Sequence, residues 1–205
     1  MRFPTITATS THFLDALSSG TDDAAWGVLD ERYRPVVRAF VTRMGLRPED
    51  AADAAQQAMV DVLSAIREGR YVRGKGRLRT WIMTIARRRA VDLLRETYRH
   101  APVNADRVLR DAEAGVPELH AEAVWAEEER RVILGRALAI LAEDPGVGEL
   151  SKRVFELAQI KGAPPAAVAE QCGVSVEQVY LMKHRILKRC REIVTSLQDA
   201  YDADE

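Results

Sequence analysis

The sequence predicts an all-α protein: two small helical domains joined by an acidic linker, the second a helix-turn-helix. Ala, Leu, Arg and Glu dominate the 205 residues, and Val, Ile and Thr rarely alternate with polar residues. This pattern favours helices over strands. Eight acids against two arginines fill residues 103–129, with Pro and Gly between them, which is typical of a linker.

The predicted boundaries follow these changes in composition. The first domain spans 1–100, the linker 101–131, the second domain 132–198, and a frayed acidic tail 199–205. Hydrophobic residues make up 47% of the chain and charged residues 30%, as in globular proteins. No apolar run is long enough for a bilayer, and the start lacks the basic-then-apolar order of a signal peptide. We therefore expect no membrane insertion and a cytoplasmic location.

Enzyme and metal chemistry have no support in the sequence. Cys172 and Cys190 form neither a disulfide framework nor a ligand cluster, and the four histidines are scattered. There is no glycine-rich phosphate loop after a strand and no recognisable nucleophile motif. We expect no catalytic residue, no metal and no cofactor.

Positive charge is concentrated between Arg67 and Arg99. This stretch holds eleven Lys or Arg against three acids, a local charge of +8, whereas the whole chain carries −1. Such a concentration suits a polyanion such as nucleic acid. Residues 77–97 have helical periodicity, with Trp81 and Thr84 beside arginines on a stripe next to the apolar one. That stripe either holds phosphates and stacks a base, or Trp81 is a core residue beside a solvated arginine face.

The motif G-R-L-R-T-W-I-M-T-I-A-R-R-R-A-V-D-L-L-R, residues 76–95, carries a family resemblance. It resembles the promoter-melting segment of extracytoplasmic-function sigma factors, which are specificity subunits of bacterial RNA polymerase. Leu78 stands where an aromatic residue is common in the family, and Arg88 where Asn is frequent. The resemblance covers roughly residues 24–98 and 132–195. It implies binding to core RNA polymerase and to promoter DNA, both double-stranded and melted.

The glycine-rich basic loop at 67–76 precedes this motif. In the family, the matching loop helps to capture a base flipped out of the downstream promoter element. A pocket of this kind needs a flexible backbone, cations for phosphates and a stacking surface. The residues predicted to bind and melt the downstream element are Arg70, Tyr71, Arg73, Lys75, Arg77, Arg79, Trp81, Thr84, Arg88 and Arg95.

A third segment, 48–66, is predicted to be a helix that begins at Pro48. It is similar to the family segment that docks on the clamp helices of the polymerase β′ subunit, commonly Asp-x-x-Gln-Glu. Asp53 and Gln56 match this pattern, whereas Gln57 replaces the usual Glu. The resemblance implies that Asp53, Gln56 and Gln57 bind polymerase; the alternative is an ordinary solvated helix face.

The predicted helix-turn-helix follows Gly162. Val168 and Ala169 face inward on a short helix, Gly173 makes the turn, and Ser175 caps a second helix. This arrangement resembles the family's C-terminal domain, which reads the upstream promoter element.

The second helix of this motif has a polar outward face. Arg185 and Gln178 are predicted to make bidentate base contacts, and Leu181 to meet a thymine methyl. Tyr180 and Met182 stand where Arg is common in the family. The predicted upstream-element residues are Ser175, Gln178, Tyr180, Leu181, His184, Arg185, Lys188 and Arg189.

Several alternatives stay open at the level of sequence. In the family the linker threads the polymerase's active-site and RNA-exit path; a plain solvated tether fits these residues equally well. The chain is either a sigma factor, a stand-alone helix-turn-helix regulator, or a sigma-like module that binds polymerase without initiating. An anti-sigma factor is a further partner that the sequence neither requires nor excludes.

Overall fold

The computed structural model describes Leu17, Ser19 and residues 23–72, 75–98 and 118–202. These residues form helices and no strand, which confirms the all-α prediction. The helices are α1 (Asp23–Arg43), α2 (Pro48–Arg67), α3 (Leu78–Tyr98), α4 (Glu118–Glu143), α5 (Glu149–Phe155), α6 (Pro165–Cys172) and α7 (Val176–Asp202). A π-helical turn, Glu156–Ile160, continues α5.

The chain divides into two compact units with boundaries that differ from the predicted ones. The first unit comprises residues 1–132 and 199–205, and the second comprises 133–198. Residues 101–117 of the predicted linker lie outside the described residues, but 118–131 are helical and belong to the first unit. An acidic segment is expected to be a solvated tether only if it has no apolar side chains to bury. In α4 such side chains are present, since Ala121 and Trp125 are buried.

The core of the first unit is built on α1, α2 and α3. Leu29, Val36 and Phe40 of α1 are buried. The other two helices contribute larger side chains such as Met59 and Ile82 and also small ones, at Ala51, Ala55, Ala58, Ala86 and Ala90. Alanines at these positions allow close approach of the helices, so the polar faces of α2 and α3 are held in fixed positions.

The first half of α4 packs within this unit. Trp125 is 2% exposed, and its ring meets Phe40 edge-on with centroids 5.4 Å apart. Two buried acids flank this contact: Glu128 lies 3.8 Å from Arg43, and Glu129 lies 3.6 Å from Arg79. Apolar burial and ion pairing together explain why these acidic residues fold into the unit.

The end of α7 also belongs to the first unit. The buried Arg32 donates a hydrogen bond from Nη1 to the carbonyl oxygen of Ala200 at 2.6 Å. The Tyr201 hydroxyl donates to the carbonyl of Arg32 at 2.8 Å, and its ring lies 5.4 Å from that of Tyr33. The predicted frayed tail at 199–205 is therefore wrong through residue 202; Ala200 and Tyr201 are apolar enough to be buried.

The core of the second unit is small. It contains Val154, Val168, Ala169 and Val179, with Leu157 packed against them. Because the first three residues lie on α5 and α6 and Val179 lies on α7, this core fixes the start of α7 against the two shorter helices.

Candidate nucleic-acid interfaces

A cavity of about 380 Å³ lies between α2, α3 and the start of the basic loop. It brings together Arg70, Trp81 and Arg88, three of the residues predicted to bind melted DNA. Its lining residues are Asp61, Ser64, Ala65, Arg70, Trp81, Ile85, Arg88, Arg89 and Asp92. The cavity thus combines an apolar wall, at Trp81 and Ile85, with charged groups of both signs.

Tyr71 and Trp81 form an aromatic pair beside this cavity. Their ring centroids are 5.1 Å apart, and the planes are inclined by 42°. The Tyr71 hydroxyl donates to the carbonyl of Gly76 at 3.3 Å, which ties the loop back on itself. Trp81 is half-buried, so one part of its ring packs while another lines the cavity. An aromatic wall of this kind can stack a base.

An ion pair between α2 and α3 forms the floor of the cavity, and the sequence analysis missed it. Arg89 binds Asp61 through both Nε and Nη2, with Nη2 at 2.8 Å from Oδ1. The hydrogen bond from Arg89 lowers the pKa of Asp61, and the same bond raises the pKa of Arg89. The two residues are 28 positions apart, so no helical spacing could pair them. Arg88, next in sequence, is exposed and has no ion pair within the described ranges.

The remaining predicted melting residues are placed differently. Lys75, Arg77 and Thr84 are exposed, whereas Arg73 lies outside the described residues. Others are held by acids: Arg70 Nε is 2.8 Å from Glu68, Arg95 is 3.6 Å from Asp92, and Arg79 is paired with Glu129 of α4. The structure therefore groups Arg70, Tyr71, Trp81 and Arg88 around one cavity and separates Arg79 from them. Their role in DNA binding stays a prediction.

The predicted polymerase-binding residues lie on one face of α2. Asp53, Gln56 and Gln57 are all exposed, at the i, i+3 and i+4 spacing that places them together. Val60 continues this face and is 49% exposed, which is unusual for its residue type in a helix with a packed apolar side. The sequence also places Val60 on this face, because it lies one helical turn beyond Gln56.

In the second unit, α6 and α7 are joined by a three-residue turn at 173–175. Gly173 has φ +65° and ψ +36°, the left-handed conformation that side chains rarely adopt. The Val174 N–H donates to the Ala169 carbonyl at 3.0 Å, which closes the end of α6. The helices lie where the helix-turn-helix is predicted; their DNA-binding role stays a prediction.

We predict that Gly173→Ala destabilises the second unit by about 1 kcal/mol because of the backbone conformation alone. A Cβ at Gly173 would meet nothing within 4 Å, so no clash contributes. Gly135→Ala is the matched control: it lies inside α4, also in open space, where alanine should stabilise by roughly 0.5–1 kcal/mol. Urea denaturation followed by circular dichroism measures both. Equal shifts of the two variants would contradict this explanation.

Gln178 has a structural role that differs from the predicted one. The Ser175 backbone N–H donates to Gln178 Oε1 at 2.8 Å, and the Gln178 backbone N–H donates to Ser175 Oγ at 3.2 Å. These reciprocal bonds form a capping box at the start of α7. A bidentate adenine contact needs both Oε1 and Nε2 of the Gln178 amide. Oε1 already accepts one hydrogen bond and keeps its second lone pair, so the base contact of Gln178 stays a prediction.

Arg189, which is predicted to contact the upstream element, is held by acids. Its Nε donates to Asp144 Oδ2 at 2.9 Å, and its Nη1 lies 3.4 Å from Glu192. Asp144 is buried and accepts the backbone N–H of Gly146 at 2.8 Å. Arg189 therefore fastens the loop before α5 to α7. The other predicted readers remain exposed: Tyr180 at 58%, Leu181 at 49%, and His184, Arg185 and Lys188.

Low pH should weaken the ion pair between Asp144 and Arg189. The backbone hydrogen bond from Gly146, with that from Arg189, holds the pKa of Asp144 below its usual value. A depressed carboxyl pKa contributes stability that is present above the unfolded-state value, roughly 4, and is lost as the pH falls through the folded value. We expect the wild-type free energy of unfolding to fall more steeply than that of Asp144→Asn below about pH 4. Urea titrations between neutral and acid pH measure this, and parallel curves would contradict it.

Metal binding and membrane crossing were also considered for the described residues. Among them, no group of three or more His, Cys, Asp or Glu is arranged to hold a metal ion. No helix in the described ranges combines the length and apolar character that crossing a membrane requires.

The segment that contains the cavity and the α2 face is similar to known proteins. Residues 29–100 match the family described as Sigma-70 region 2. The chain is similar to the ECF RNA polymerase sigma factor RpoE of Cereibacter sphaeroides, with 26% identity over 172 residues. That alignment covers 80% of this chain and 89% of the relative. No solved structure matches the chain. Helices α6 and α7 lie beyond the residues that match the family.

Proposed function

We propose that the chain is an extracytoplasmic-function sigma factor with a role in transcription initiation, and that it opens promoter DNA by capturing an unpaired base beside Trp81. The observation that carries the proposal is the cavity at α2 and α3, which lies wholly within the segment that matches region 2. The proposed action is binding rather than covalent chemistry, and cytoplasmic residence remains a prediction.

Base capture is proposed to need no ATP, because stacking in the cavity offsets the free-energy cost of extruding the base. Extruding a base from duplex DNA costs a few kcal/mol in lost stacking and pairing. Stacking on an aromatic side chain returns about 1–3 kcal/mol per base. Trp81 offers that surface, and the exposed Arg88 supplies a cation for an adjoining phosphate. Stacking therefore offsets part or all of the cost of extruding one base, and polymerase contacts with the DNA are proposed to supply the remainder.

The face of α2 supports the polymerase part of the proposal. Asp53, Gln56, Gln57 and Val60 combine polar groups with one exposed apolar side chain, as at the centre and rim of protein interfaces. We propose that this face docks on the β′ clamp helices. Val60 is 49% exposed, so its side chain is accessible to a partner protein.

Charge reversal tests the docking face. We expect Asp53→Lys to weaken binding to bacterial core RNA polymerase, measured by co-elution, by about tenfold, which corresponds to about 1.4 kcal/mol of binding free energy. Glu170→Lys makes the same charge change at an exposed site on α6 and serves as the control. If both variants co-elute like the wild type, the α2 face is an ordinary solvated surface and this part of the proposal fails.

Binding to duplex DNA and transcript formation distinguish a sigma factor from a stand-alone regulator and from a module that binds polymerase without initiating. A stand-alone regulator would bind a specific duplex tightly without polymerase, whereas a sigma factor of this type should bind promoter DNA poorly alone. A sequestering module would co-elute with polymerase and yield no transcript. If the arginines contact phosphates, the affinity of the polymerase complex for DNA should fall steeply as salt rises. Whether an anti-sigma factor binds the chain stays open.

A further inference from the structure

We propose that the carboxylate of Glu129 takes the place of a DNA phosphate on Arg79 and thereby lowers the affinity of the free chain for single-stranded DNA. This inference rests on the proposed function, because it assumes that α3 contacts the melted strand. It assigns a role to the first half of α4, which composition alone predicts to be a linker.

Arg79 is held by an acid from a distant part of the chain. It lies in the first turn of α3, and its Nη1 is 3.6 Å from Oε2 of Glu129 on α4. Arg70 and Arg95 are instead paired with acids of their own segments, within three residues in the sequence. Release of Arg79 therefore requires an anion that replaces a side chain of another helix.

Packing keeps the Glu129 carboxylate beside Arg79. The Glu129 side chain is 9% exposed, whereas 33% of the Arg79 side chain remains accessible. One turn earlier on α4, the buried Trp125 packs against Phe40. A carboxylate that is tethered in this way has a high effective concentration at the guanidinium, so a phosphate from solution is at a disadvantage. The accessible part of Arg79 still allows an incoming DNA strand to reach it.

The ion pair has the geometry of an exchangeable contact. At 3.6 Å the two atoms are too far apart for a hydrogen bond, so their attraction is mainly Coulombic. The neighbouring Glu128 has a closer partner within α4 itself, since its Oε1 is 3.0 Å from Arg131 Nη1. A phosphate makes shorter, charge-assisted hydrogen bonds with arginine. DNA therefore offers Arg79 a better-bonded anion than the one that it has in the free chain.

The consequence is a difference between the free chain and the polymerase complex. In the free chain, DNA phosphates compete with a tethered carboxylate, which also repels them. When polymerase holds the promoter in place, the phosphates are tethered as well, and their effective concentration at Arg79 rises. Glu129 thus opposes DNA binding away from polymerase and gives up Arg79 within the complex.

The simpler explanation is that Glu129 only stabilises the fold, and binding of single-stranded DNA separates the two. Fluorescence anisotropy with a labelled oligonucleotide of mixed sequence gives the dissociation constant of the free protein at several salt concentrations. Glu129→Gln keeps the size of the side chain and removes its charge, so it should bind about threefold tighter at low salt. The slope of log K against log salt should steepen by about 0.7, the value for one added phosphate contact on a single strand.

Glu128→Gln is the matched control. Glu128 is also a buried acid of α4, but it pairs with Arg43 and Arg131, which lie outside the basic stretch at 67–99. The control loses the same charge and should keep nearly the wild-type affinity and salt slope. The double variant Glu129→Gln with Arg79→Gln should lose the gain, because the released guanidinium is then absent.

Arg79→Gln alone gives a measurement that does not depend on the folding of Glu129→Gln. It should weaken DNA binding by the polymerase complex about threefold, where a phosphate has replaced Glu129. It should change DNA binding by the free protein little, because Glu129 already occupies Arg79 there. An equal effect in both states, including no effect in either, contradicts the proposal.

The outcomes distinguish this inference from the proposed function. Tighter binding with a steeper salt slope in Glu129→Gln supports the inference, and it does so even if Trp81→Ala opens promoters normally, which would reject base capture. A Glu129→Gln variant that binds DNA like Glu128→Gln overturns the inference and leaves Glu129 as a stabilising acid. Base capture is then still decided by the Trp81 variants.

Discussion

Trp81→Ala should reduce promoter opening by roughly tenfold or more while leaving polymerase binding intact. The truncation removes an aromatic wall of the cavity, and base stacking on such a ring is worth about 1–3 kcal/mol. The polymerase face on α2 does not include Trp81, so docking should persist. Opening is measured by the fluorescence of 2-aminopurine placed in the downstream element, with co-elution measured on the same preparation.

Trp81→Phe and Tyr71→Phe are the matched variants. Phenylalanine at 81 keeps a ring for stacking and should retain most of the opening activity. Tyr71→Phe keeps the 5.1 Å ring contact and loses only the bond to the Gly76 carbonyl, so its effect should be small. A parallel loss of opening and polymerase binding in Trp81→Ala would show that Trp81 is a core residue, and the proposed role would be abandoned.

Trp125→Ala should destabilise the first unit by about 3–5 kcal/mol. Trp125 is 2% exposed against Phe40, although it lies in the segment that composition predicts to be a linker. If residues 118–131 were a solvated tether, the same substitution would cost less than about 1 kcal/mol. Urea denaturation followed by far-ultraviolet circular dichroism gives the free energy of unfolding without relying on tryptophan fluorescence.

Trp125→Phe controls for the loss of ring packing. The indole N–H of Trp125 is buried with no hydrogen-bond acceptor among the described residues. Phenylalanine would remove that donor and keep the edge-on contact with Phe40, so its cost should be well below that of alanine. If Trp125→Ala and Trp125→Phe lower the free energy of unfolding equally, ring packing against Phe40 does not stabilise this part of α4.

Local sequence patterns accounted for the helices and for the faces that they present. Pro48, with Glu49 and Asp50 in the first turn, marks the start of α2 as predicted. These features depend on neighbours within one or two turns, which a sequence displays directly.

Contacts between distant parts of the chain could not be read in this way. Arg89 pairs with Asp61, Arg79 with Glu129, and Arg32 with the backbone of Ala200, across separations that leave no periodic trace. The sequence analysis predicted none of these three contacts. The helical part of the acidic segment was predicted as linker for the same reason, since Glu127, Glu128 and Glu129 are paired with arginines from α1 and α3.

The site was predicted best where one motif supplied both its position and its chemistry. Trp81 and Arg88 fall in the long basic motif, and both line the cavity. The capping role of Gln178 was not predicted, because side-chain type alone does not show whether a polar atom is already bonded. Its spacing of three residues from Ser175 is a capping-box signature and was available in the sequence.

Run-off transcription with the reconstituted complex tests the central claim most directly. The full-length protein is combined with the cognate bacterial core RNA polymerase and supplied with genomic fragments. Discrete transcripts that require both components are the predicted result. Absence of transcripts, together with failure to co-elute with that polymerase, would contradict the account.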